Sequence, residues 1–311
     1  MPYYEQKSRS RLSLDLNNNA LVTLIAIILV VFVLVTFVSV FYYFGYSKET
    51  ANAKFYTEVY RNLAIPAEAD VLLQKPWTAI THMFYHSHLN VWHLVGNLIW
   101  LWFFGYILQD LTGNRKIIPV FLYGAWAGAL AFVLAYNFIP VLKAGIEGAN
   151  AIGASAGVMA IAVATTLIAP GFRIFPFING GIPLWVVTLI FVVIDLATLS
   201  VSNHGGHIAH LAGALSGYLF VFFFRRGYDG SQWMNTVWEW ISNLFNPDRP
   251  GKNKPVKEQL FYRSERKPYT RRSHLSQQKV DEILDKISQQ GYDALTSEEK
   301  ELLNRASKED L

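Results

Sequence analysis

The chain has 311 residues, of which 52% are hydrophobic and only 16% are charged. Soluble domains carry about 25% charged residues, so this apolar excess exceeds what a small globular core can hold and indicates a lipid bilayer as host. The absence of cysteine excludes disulfides, thiolate metal sites and a cysteine nucleophile. The net charge of +4, with much of the basic excess after residue 250, indicates a membrane surface and no nucleic-acid partner.

Six apolar segments predict membrane-spanning helices. Residues 1–19 are polar and precede the first span, 20–46, which is too long for a signal peptide and has no cleavage site after it. A long charged connection, 47–78, follows it. Further spans are predicted at 90–109, 117–139, 150–169, 182–202 and 206–224. We therefore expect an all-α polytopic membrane protein with a six-helix bundle within residues 20–226.

The remaining chain predicts a helical tail. Residues 227–246 carry aromatic and aliphatic side chains near helical spacing, as in an amphipathic helix at a membrane interface. Residues 247–275 are a basic, proline-containing linker that we expect to be disordered or held on anionic lipid. Residues 276–311 predict a helical hairpin, whose second helix begins with the capping box Thr296 and Glu299.

The distribution of lysine and arginine predicts the orientation. One side of the predicted membrane collects most of the basic residues in short connections: Lys7, Arg9, Arg11, Arg115, Lys116, Arg173, Arg225 and Arg226. By the positive-inside rule both termini, and therefore the helical tail, are cytoplasmic. We expect a multi-pass integral protein of a bacterial inner membrane, in which spans two, four and six enter from the outer face.

Three polar side chains lie at similar predicted depths. His93, Ser155 and His210 each fall about three to six residues inside their spans, or roughly 5 to 9 Å below the outer surface at 1.5 Å per residue. Structurally incidental polar residues would lie at unrelated depths. Because polar groups are costly inside a membrane, matched depths indicate a shared function.

The residue types at these positions fit nucleophilic catalysis. A serine becomes a nucleophile when a base takes its proton, and a neutral histidine is the usual base. Glycines at intervals that allow close helix packing in lipid flank both side chains: Gly153 and Gly157 in span four, Gly213 and Gly217 in span six. Packing of these two spans is expected to bring the Ser155 hydroxyl within hydrogen-bond reach of His210.

Span two supplies candidates for an oxyanion hole. His93 and Asn97 are four residues apart and therefore share one helix face. The backbone N–H of Ser155, near the positive end of span four, adds a third donor. Each such donor typically contributes about 2.7 to 4 kcal/mol to an acyl-transfer step. A structural hydrogen bond that ties span two to a loop is the alternative role for His93 and Asn97.

The combined pattern resembles the rhomboid family of intramembrane serine proteases. Three motifs carry the resemblance: Gly153-Ala154-Ser155, Ala209-His210-Leu211-Ala212-Gly213 with Gly217, and His93-Leu94-Val95-Gly96-Asn97. The resemblance covers about residues 50–226. It implies that Ser155 is the nucleophile, His210 the general base, and His93 and Asn97 oxyanion donors, with no cofactor. The implied partners are transmembrane protein substrates, whose helix unwinds near its outer end before cleavage.

The chain departs from the family pattern at three places. Ala156 follows the serine where glycine is usual, Met159 replaces an aromatic residue, and Trp77-Thr78 stands where Trp-Arg is common. These departures concern loop anchoring and the orientation of the histidine. They leave the nucleophile in place.

Other polar residues in the spans suggest different sites. Asp195 in span five suggests a triad, but the resembling family uses a Ser–His dyad, so we expect Asp195 to pair with a neighbour or reach the interface. Five further histidines show no metal-binding spacing and no completing carboxylate, so we expect no metal site and water-facing rings: His82, His86, His88, His204 and His207.

Two other functions remain to be weighed. A catalytically inactive rhomboid-like protein would bind or escort membrane clients, but such proteins usually lose the serine or the histidine, and this chain has Ser155 and His210. A small-solute transporter would be expected to show an internal repeat and a broken span, and neither is present in the sequence. The oligomeric state and the substrate are not specified by the sequence.

Overall fold

A computed structural model describes residues 19–175, 180–244 and 277–306. The chain divides into two compact units after Pro247. Residues 1–18 of the predicted polar N-terminal segment and the whole predicted linker, 247–275, lie outside the described residues.

The first unit is almost entirely helical. Its helices, in chain order, are α1 (Ala20–Gly45), α2 (Lys48–Phe55), α3 (Arg61–Leu63), α4 (Ala69–Gln74), α5 (Thr78–Thr81), α6 (Val91–Thr112), α7 (Ile117–Phe138), α8 (Pro140–Lys143), α9 (Ser155–Ile168), α10 (Leu184–Thr198), α11 (His204–Arg225) and α12 (Gln232–Leu244). Two short antiparallel pairs join loops: β1 (Ile65–Pro66) with β2 (Asn150–Ala151), and β3 (Arg173–Ile174) with β4 (Ile182–Pro183). The predicted all-α class is confirmed.

The apolar helices differ in length. Among the described residues, four helices are long and apolar enough to cross a membrane: α1, α6, α7 with the turn before it, and α11. The apolar helices α9 and α10 have only 14 and 15 residues, against the roughly 20 residues that span a hydrocarbon core. The chain is a multi-pass integral membrane protein, and the count of six crossings stays a prediction.

Span four begins later than its apolar sequence predicted. Asn150 and Ala151 pair with β1 as an extended strand, and Gly153 has a φ of +110° that no residue inside a right-handed helix adopts. The helix therefore begins at Ser155. The prediction that Ser155 lies several residues inside its own helix, within a span 150–169, was wrong because a strand pairing with a distant loop overrides the local apolar pattern.

Helices α9 and α11 run parallel and in close contact. A Cβ atom added to Gly213 would lie 2.2 Å from the carbonyl oxygen of Ala156, and one added to Gly217 would lie 2.2 Å from that of Ala160. These two glycines therefore let the backbones of α9 and α11 touch, as the sequence predicted.

The two glycines near Ser155 have other roles than predicted. Gly157 faces α7, where an added Cβ would lie 2.5 Å from the ring of Phe121. Gly153 precedes α9, and its added Cβ would lie 2.9 Å from Cε1 of His93. The surface of α9 that meets α11 is thus formed by Ala156 and Ala160. The spacing of small residues indicated close packing but did not specify which neighbour each glycine faces.

The amphipathic helix predicted over 227–246 is observed as α12. Its side chains Trp233, Trp238 and Trp240 are exposed. The start of the helix is tied to α7: the Tyr123 hydroxyl donates to the carbonyl oxygen of Gly230 at 2.8 Å, and the Trp233 indole N–H donates to the Tyr123 hydroxyl oxygen. Exposed tryptophans fit a membrane interface.

The second unit contains the helices α13 (Gln277–Gln290) and α14 (Ser297–Ala306). Gly291 follows α13 with a φ of +82°, which ends the helix. The predicted capping box is present: the Thr296 N–H donates to Glu299 Oε2 at 2.8 Å and the Glu299 N–H donates to Thr296 Oγ1 at 3.3 Å. The cytoplasmic position of this tail stays a prediction.

Candidate active site

The hydroxyl of Ser155 and the ring of His210 are in direct contact. Ser155 Oγ lies 2.7 Å from His210 Nε2. Ser155 is the first residue of α9, and His210 lies in the second turn of α11. The contact follows from the close packing of Ala156 against Gly213, which sets the two helices side by side immediately beneath these residues.

The short length of α9 places Ser155 well below the start of α11. The pairing of Ala156 with Gly213 and of Ala160 with Gly217 aligns the start of α9 with a position about eight residues into α11, or roughly 12 Å along the axis. The other ends of the two helices are nearer in level, since the Arg225 guanidinium donates to the carbonyl oxygen of Leu167. Ser155 therefore lies far from the level at which α11 begins, because α9 is short and only its other end is level with that of α11.

Two cavities meet at this contact. The larger, of about 370 Å³, is lined by Ser155, His210 and His93 among others. The smaller, of about 170 Å³, is lined by Ser155 and His210 together with Asn97, Met159 and residues of α10. The serine and the histidine thus lie between a larger cavity at the start of α9 and a narrower one between α6, α9 and α10.

The predicted oxyanion donors line the same cavities as Ser155. His93 shares the larger cavity with Ser155, and Asn97 shares the smaller one. Asn97 is buried, and its Nδ2 donates to Nε2 of His86 at 3.0 Å. The amide carries a second N–H, and the first turn of α9 has backbone N–H groups without intrahelical acceptors. The two polar side chains of α6 therefore line the two cavities that meet at Ser155.

His82 and His86, which precede α6, are buried, so the prediction that they face water was wrong for these two. His86 Nε2 accepts hydrogen bonds from Asn97 Nδ2 and, at 3.3 Å, from the Ala154 N–H. His82 donates from Nδ1 to the Thr78 carbonyl oxygen at 2.8 Å. Burial lowers the pKa of both His82 and His86 to about 4. Both rings are therefore neutral near pH 7 and act as structural partners of the site.

Asp195 contacts the candidate base, a contact that the sequence did not predict. Its Oδ1 lies 2.9 Å from His210 Nδ1 and 2.7 Å from His207 Nδ1. The side chain of Asp195 is 9% exposed. Asp195 thus pairs with neighbouring residues, as expected, but one of them is the candidate base. The turn between α10 and α11 folds the two helices together, and the sequence separation of 12 to 15 residues hid this contact.

The prediction that no carboxylate completes a metal-binding set was wrong, since Asp195 lies beside His207 and His210. One ligand atom each of Asp195, His207 and His210 lies within 4.8 Å of the others. An ionised carboxylate only accepts hydrogen bonds, so both Nδ1 atoms carry protons that point at Asp195. In this arrangement the three groups satisfy one another, and the two nitrogens present no lone pair to a cation.

Two departures from the family pattern are accommodated by packing within the helices. Ala156 lies opposite Gly128 of α7, where an added Cβ would come within 2.6 Å of the Ala156 methyl. A glycine on the neighbouring helix therefore makes room for the extra carbon after the serine. Met159 is buried and lines the smaller cavity with His210, so a flexible side chain lies at the position where the family often has an aromatic one.

The third departure, Trp77-Thr78, lies in an anchored loop. The Trp77 indole N–H donates to the Asn62 carbonyl oxygen at 2.9 Å. Thr78 is fully buried, and its hydroxyl donates to the Lys75 carbonyl oxygen at 2.7 Å. These hydrogen bonds hold the connection between α4 and α6 without an arginine at position 78.

Residues 73–227 match the family model described as the Rhomboid domain. The chain belongs to the rhomboid family. The family predicted from the three motifs is thereby confirmed, and the matched residues include His93, Asn97, Ser155, Asp195 and His210.

Two further matches extend the comparison. Residues 267–309 match a second model, described as a family of unknown function, DUF6576. A curated relative of the rhomboid domain is "RHOMBOID-like protein 12, mitochondrial" of Arabidopsis thaliana, which is 25% identical over 146 residues, or 44% of this chain and 43% of that protein. The chain thus spans less than half the length of the curated relative it matches.

Proposed function

We propose that this rhomboid protein is an intramembrane serine endopeptidase. The observation that carries the proposal is the 2.7 Å hydrogen bond between Ser155 Oγ and His210 Nε2. It lies at the floor of a cavity of about 370 Å³, among helices whose composition is that of membrane spans. A serine paired with a base in such a position is the arrangement that acyl transfer needs.

The reaction proceeds in two halves. Ser155 Oγ attacks the carbonyl carbon of the scissile peptide while its proton passes to His210 Nε2. The tetrahedral intermediate collapses with cleavage of the C–N bond, and His210 returns the proton to the leaving amine, which leaves an ester on Ser155. A water molecule then attacks the ester, His210 takes and returns its proton, and the serine and a carboxylic acid product are released.

Donors around the serine stabilise the negative oxygen of the tetrahedral intermediate. The groups that we assign to this role are the side chains of His93 and Asn97 and the backbone N–H of Ser155. One N–H of the Asn97 amide donates to His86, which fixes the orientation of the amide. The second N–H of the amide stays available for the oxyanion. This assignment makes His86 a support of the oxyanion hole.

The substrates are transmembrane proteins that reach Ser155 from the surrounding bilayer. A soluble peptide would have to enter the membrane domain, whereas a transmembrane helix is already present at that depth. Residues around both cavities are mostly apolar, which suits an unwound membrane segment. The proposed activity requires no cofactor.

The proposed topology has six crossings. In it α9 and α10 cross together with the four long helices, both termini lie on the cytoplasmic side, and the outer face carries the cavity above Ser155. The basic side chains Arg115, Arg173 and Arg225 support this orientation, since they flank the inner ends of the helix pairs. The host membrane in this proposal is a bacterial inner membrane.

Replacement of the nucleophile tests the activity. We expect Ser155→Ala to lower the cleavage of a single-span reporter protein in liposomes by about 10³-fold or more, because a methyl group cannot attack the carbonyl. The melting temperature should stay near that of the wild type, since the change removes one oxygen atom. A fluorophosphonate probe should label the wild type and not Ser155→Ala.

Two outcomes would contradict the proposal. Equal cleavage by the wild type and Ser155→Ala would assign the activity to another protein. A folded wild type that neither cleaves nor reacts with the probe would favour an inactive rhomboid-like protein that binds membrane clients.

A further inference from the structure

The side of the His210 ring that faces away from Ser155 is occupied by a carboxylate. Asp195 Oδ1 lies 2.9 Å from Nδ1 of this ring, whose Nε2 lies 2.7 Å from Ser155 Oγ. Asp195 is 6% exposed and comes from α10, whereas the histidine comes from α11. Three residues from three helices therefore form one chain of hydrogen bonds.

The carboxylate determines which nitrogen of the ring carries the proton. An ionised carboxylate only accepts hydrogen bonds, so Nδ1 of His210 must be the protonated nitrogen. Nε2 then has a lone pair, and it is directed at the Ser155 hydroxyl, as a general base requires. We propose that Asp195 is a positioning residue that selects the tautomer and orientation of His210, so that the site works as a Ser–His–Asp triad. The proposal rests on the proposed peptidase function.

The carboxylate also acts on the charge that forms during the reaction. When Nε2 of His210 takes the serine proton, the ring becomes a cation. Asp195 lies within hydrogen-bond distance of that cation in a largely buried setting, where screening by water is weak. Stabilisation of this transient charge favours the transition state over the resting state and therefore affects kcat rather than substrate binding.

His207 provides a second hydrogen bond to the same carboxylate oxygen. His207 Nδ1 lies 2.7 Å from Asp195 Oδ1, and His207 precedes His210 on α11 by about one helical turn. Two donors on one face of α11 thus hold the carboxylate in place. His207 contacts neither Ser155 nor the serine-facing nitrogen of His210 in the described contacts, so it links α10 to α11 without entering the proton path.

This second bond gives a matched control for a purely structural role of Asp195. If the carboxylate only fastened α10 to α11, loss of its hydrogen bond to His207 would lower catalysis about as much as loss of its hydrogen bond to His210. If it sets the tautomer of His210, removal of His207 leaves that bond intact, and only changes at Asp195 affect the chemistry.

The test compares four full-length proteins in liposomes with a single-span reporter: the wild type, Asp195→Asn, Asp195→Glu and His207→Ala. Asparagine keeps the shape but loses the charge, and its amide offers either an oxygen or an N–H to Nδ1, so it no longer selects one tautomer. We expect kcat of Asp195→Asn to fall by about 100-fold or more while KM changes by less than about threefold. The kcat of Asp195→Glu should be at least about tenfold higher than that of Asp195→Asn. The kcat of His207→Ala should stay within about fivefold of the wild-type value.

The rate of labelling by a fluorophosphonate probe gives a second readout that does not depend on entry of a transmembrane substrate. We expect the same order of rates: wild type, His207→Ala, Asp195→Glu, Asp195→Asn. A kcat of Asp195→Asn within about threefold of the wild type would overturn the positioning role and leave the proposed peptidase intact. Equal losses in Asp195→Asn and His207→Ala would also overturn it, in favour of a structural link. Failure of the wild type itself to cleave or to label would instead refute the peptidase function.

Discussion

At the scale of single residues, the candidate site depends on histidines that differ in their surroundings. His210 lies beside a carboxylate and faces Ser155, whereas His86 is fully buried and accepts two hydrogen bonds through Nε2. A protonated His86 would have no acceptor to offer to Asn97. Neighbouring groups therefore keep the His86 ring neutral and direct the lone pair of the His210 ring at Ser155.

The buried rings predict a pH dependence of stability. The pKa of His82 and of His86 is about 4 in the folded chain, against about 6.5 in an unfolded one. Between these values the unfolded chain binds protons that the folded chain excludes. The stability is therefore fully present above pH 6.5, and the free energy of unfolding falls as the pH drops towards 4, by about 1.4 kcal/mol per pH unit for each histidine.

The measurement is thermal unfolding in detergent between pH 7.5 and pH 4, compared between the wild type and His86→Gln. Glutamine offers an oxygen to Asn97 but does not titrate, so the wild type should lose stability more steeply than the variant below pH 6.5. Parallel curves for the two proteins would show that burial of His86 does not oppose its protonation. Carboxylates that titrate in the same range cancel in the difference.

At this scale the sequence indicated which residues could carry the chemistry, but it did not indicate which residues they contact. Ser155, His210, His93 and Asn97 stood out because polar groups are rare in apolar spans. Asp195 and the buried histidines drew attention too, but their partners lie in other elements. Whether a polar side chain faces water, lipid or another polar group depends on the packing of neighbouring helices, which a single sequence does not encode locally.

At the scale of elements, the contact between α9 and α11 decides where the serine and the histidine meet. The parallel helices touch at Gly213 and Gly217, where the neighbouring carbonyl oxygens leave no room for a Cβ. Such close approach maximises dispersion contacts in a membrane, where apolar side chains gain little from leaving lipid. Small changes in this contact should therefore affect both stability and catalysis.

We expect Gly213→Ala to destabilise the membrane domain. Its Cβ would lie 2.2 Å from the Ala156 carbonyl oxygen, so the helices must separate. The free energy of unfolding should fall by about 1 to 3 kcal/mol, as for overpacked cores. Because the contact lies one turn below His210, separation should also lengthen the bond to Ser155 and lower kcat.

The matched control is Gly96→Ala in α6. Gly96 is also a mid-helix glycine, but an added Cβ meets no heavy atom within 4 Å. Equilibrium unfolding in micelles should show little loss for this variant. Similar losses in the two variants would mean that glycine acts through the helix backbone itself and not through contact between α9 and α11.

The elements themselves were predictable where apolar runs were long. The first, second, third and sixth predicted spans correspond to α1, α6, α7 and α11. Span four was mispredicted at its start, because β2 pairs with β1 across the fold and the left-handed Gly153 separates strand from helix. A run of apolar residues reports burial, and it does not distinguish a strand at the edge of a site from the first turns of a helix.

At the scale of the whole molecule, the two short apolar helices raise the question of how many times the chain crosses the bilayer. α9 and α10 are too short to span a typical hydrocarbon core unaided, but long neighbours surround α9, so its ends need not reach the lipid surface. A buried, short helix of this kind allows water to approach Ser155 from one side without a continuous channel. The six-crossing topology accounts for this arrangement and for the distribution of basic residues.

The topology can be tested directly because the chain contains no cysteine. Single substitutions at the end of α8 and in the connection after α9, such as Lys143→Cys and Gly171→Cys, introduce one thiol each. A maleimide that cannot cross membranes should label Lys143→Cys in intact cells and Gly171→Cys only after the membrane is permeabilised. Labelling of both positions from the same side would contradict a separate crossing by α9.

The contact between Ser155 and His210 also bears on the biosynthesis of the protein. The two residues are separated by 55 positions, and the base lies on the last long apolar helix before α12. A ribosome makes the nucleophile first and the group that activates it only near the end of the membrane domain. Under the proposed mechanism, a partly made chain holds an unreactive alcohol, so newly inserted copies cannot cut neighbouring proteins before their own folding is complete.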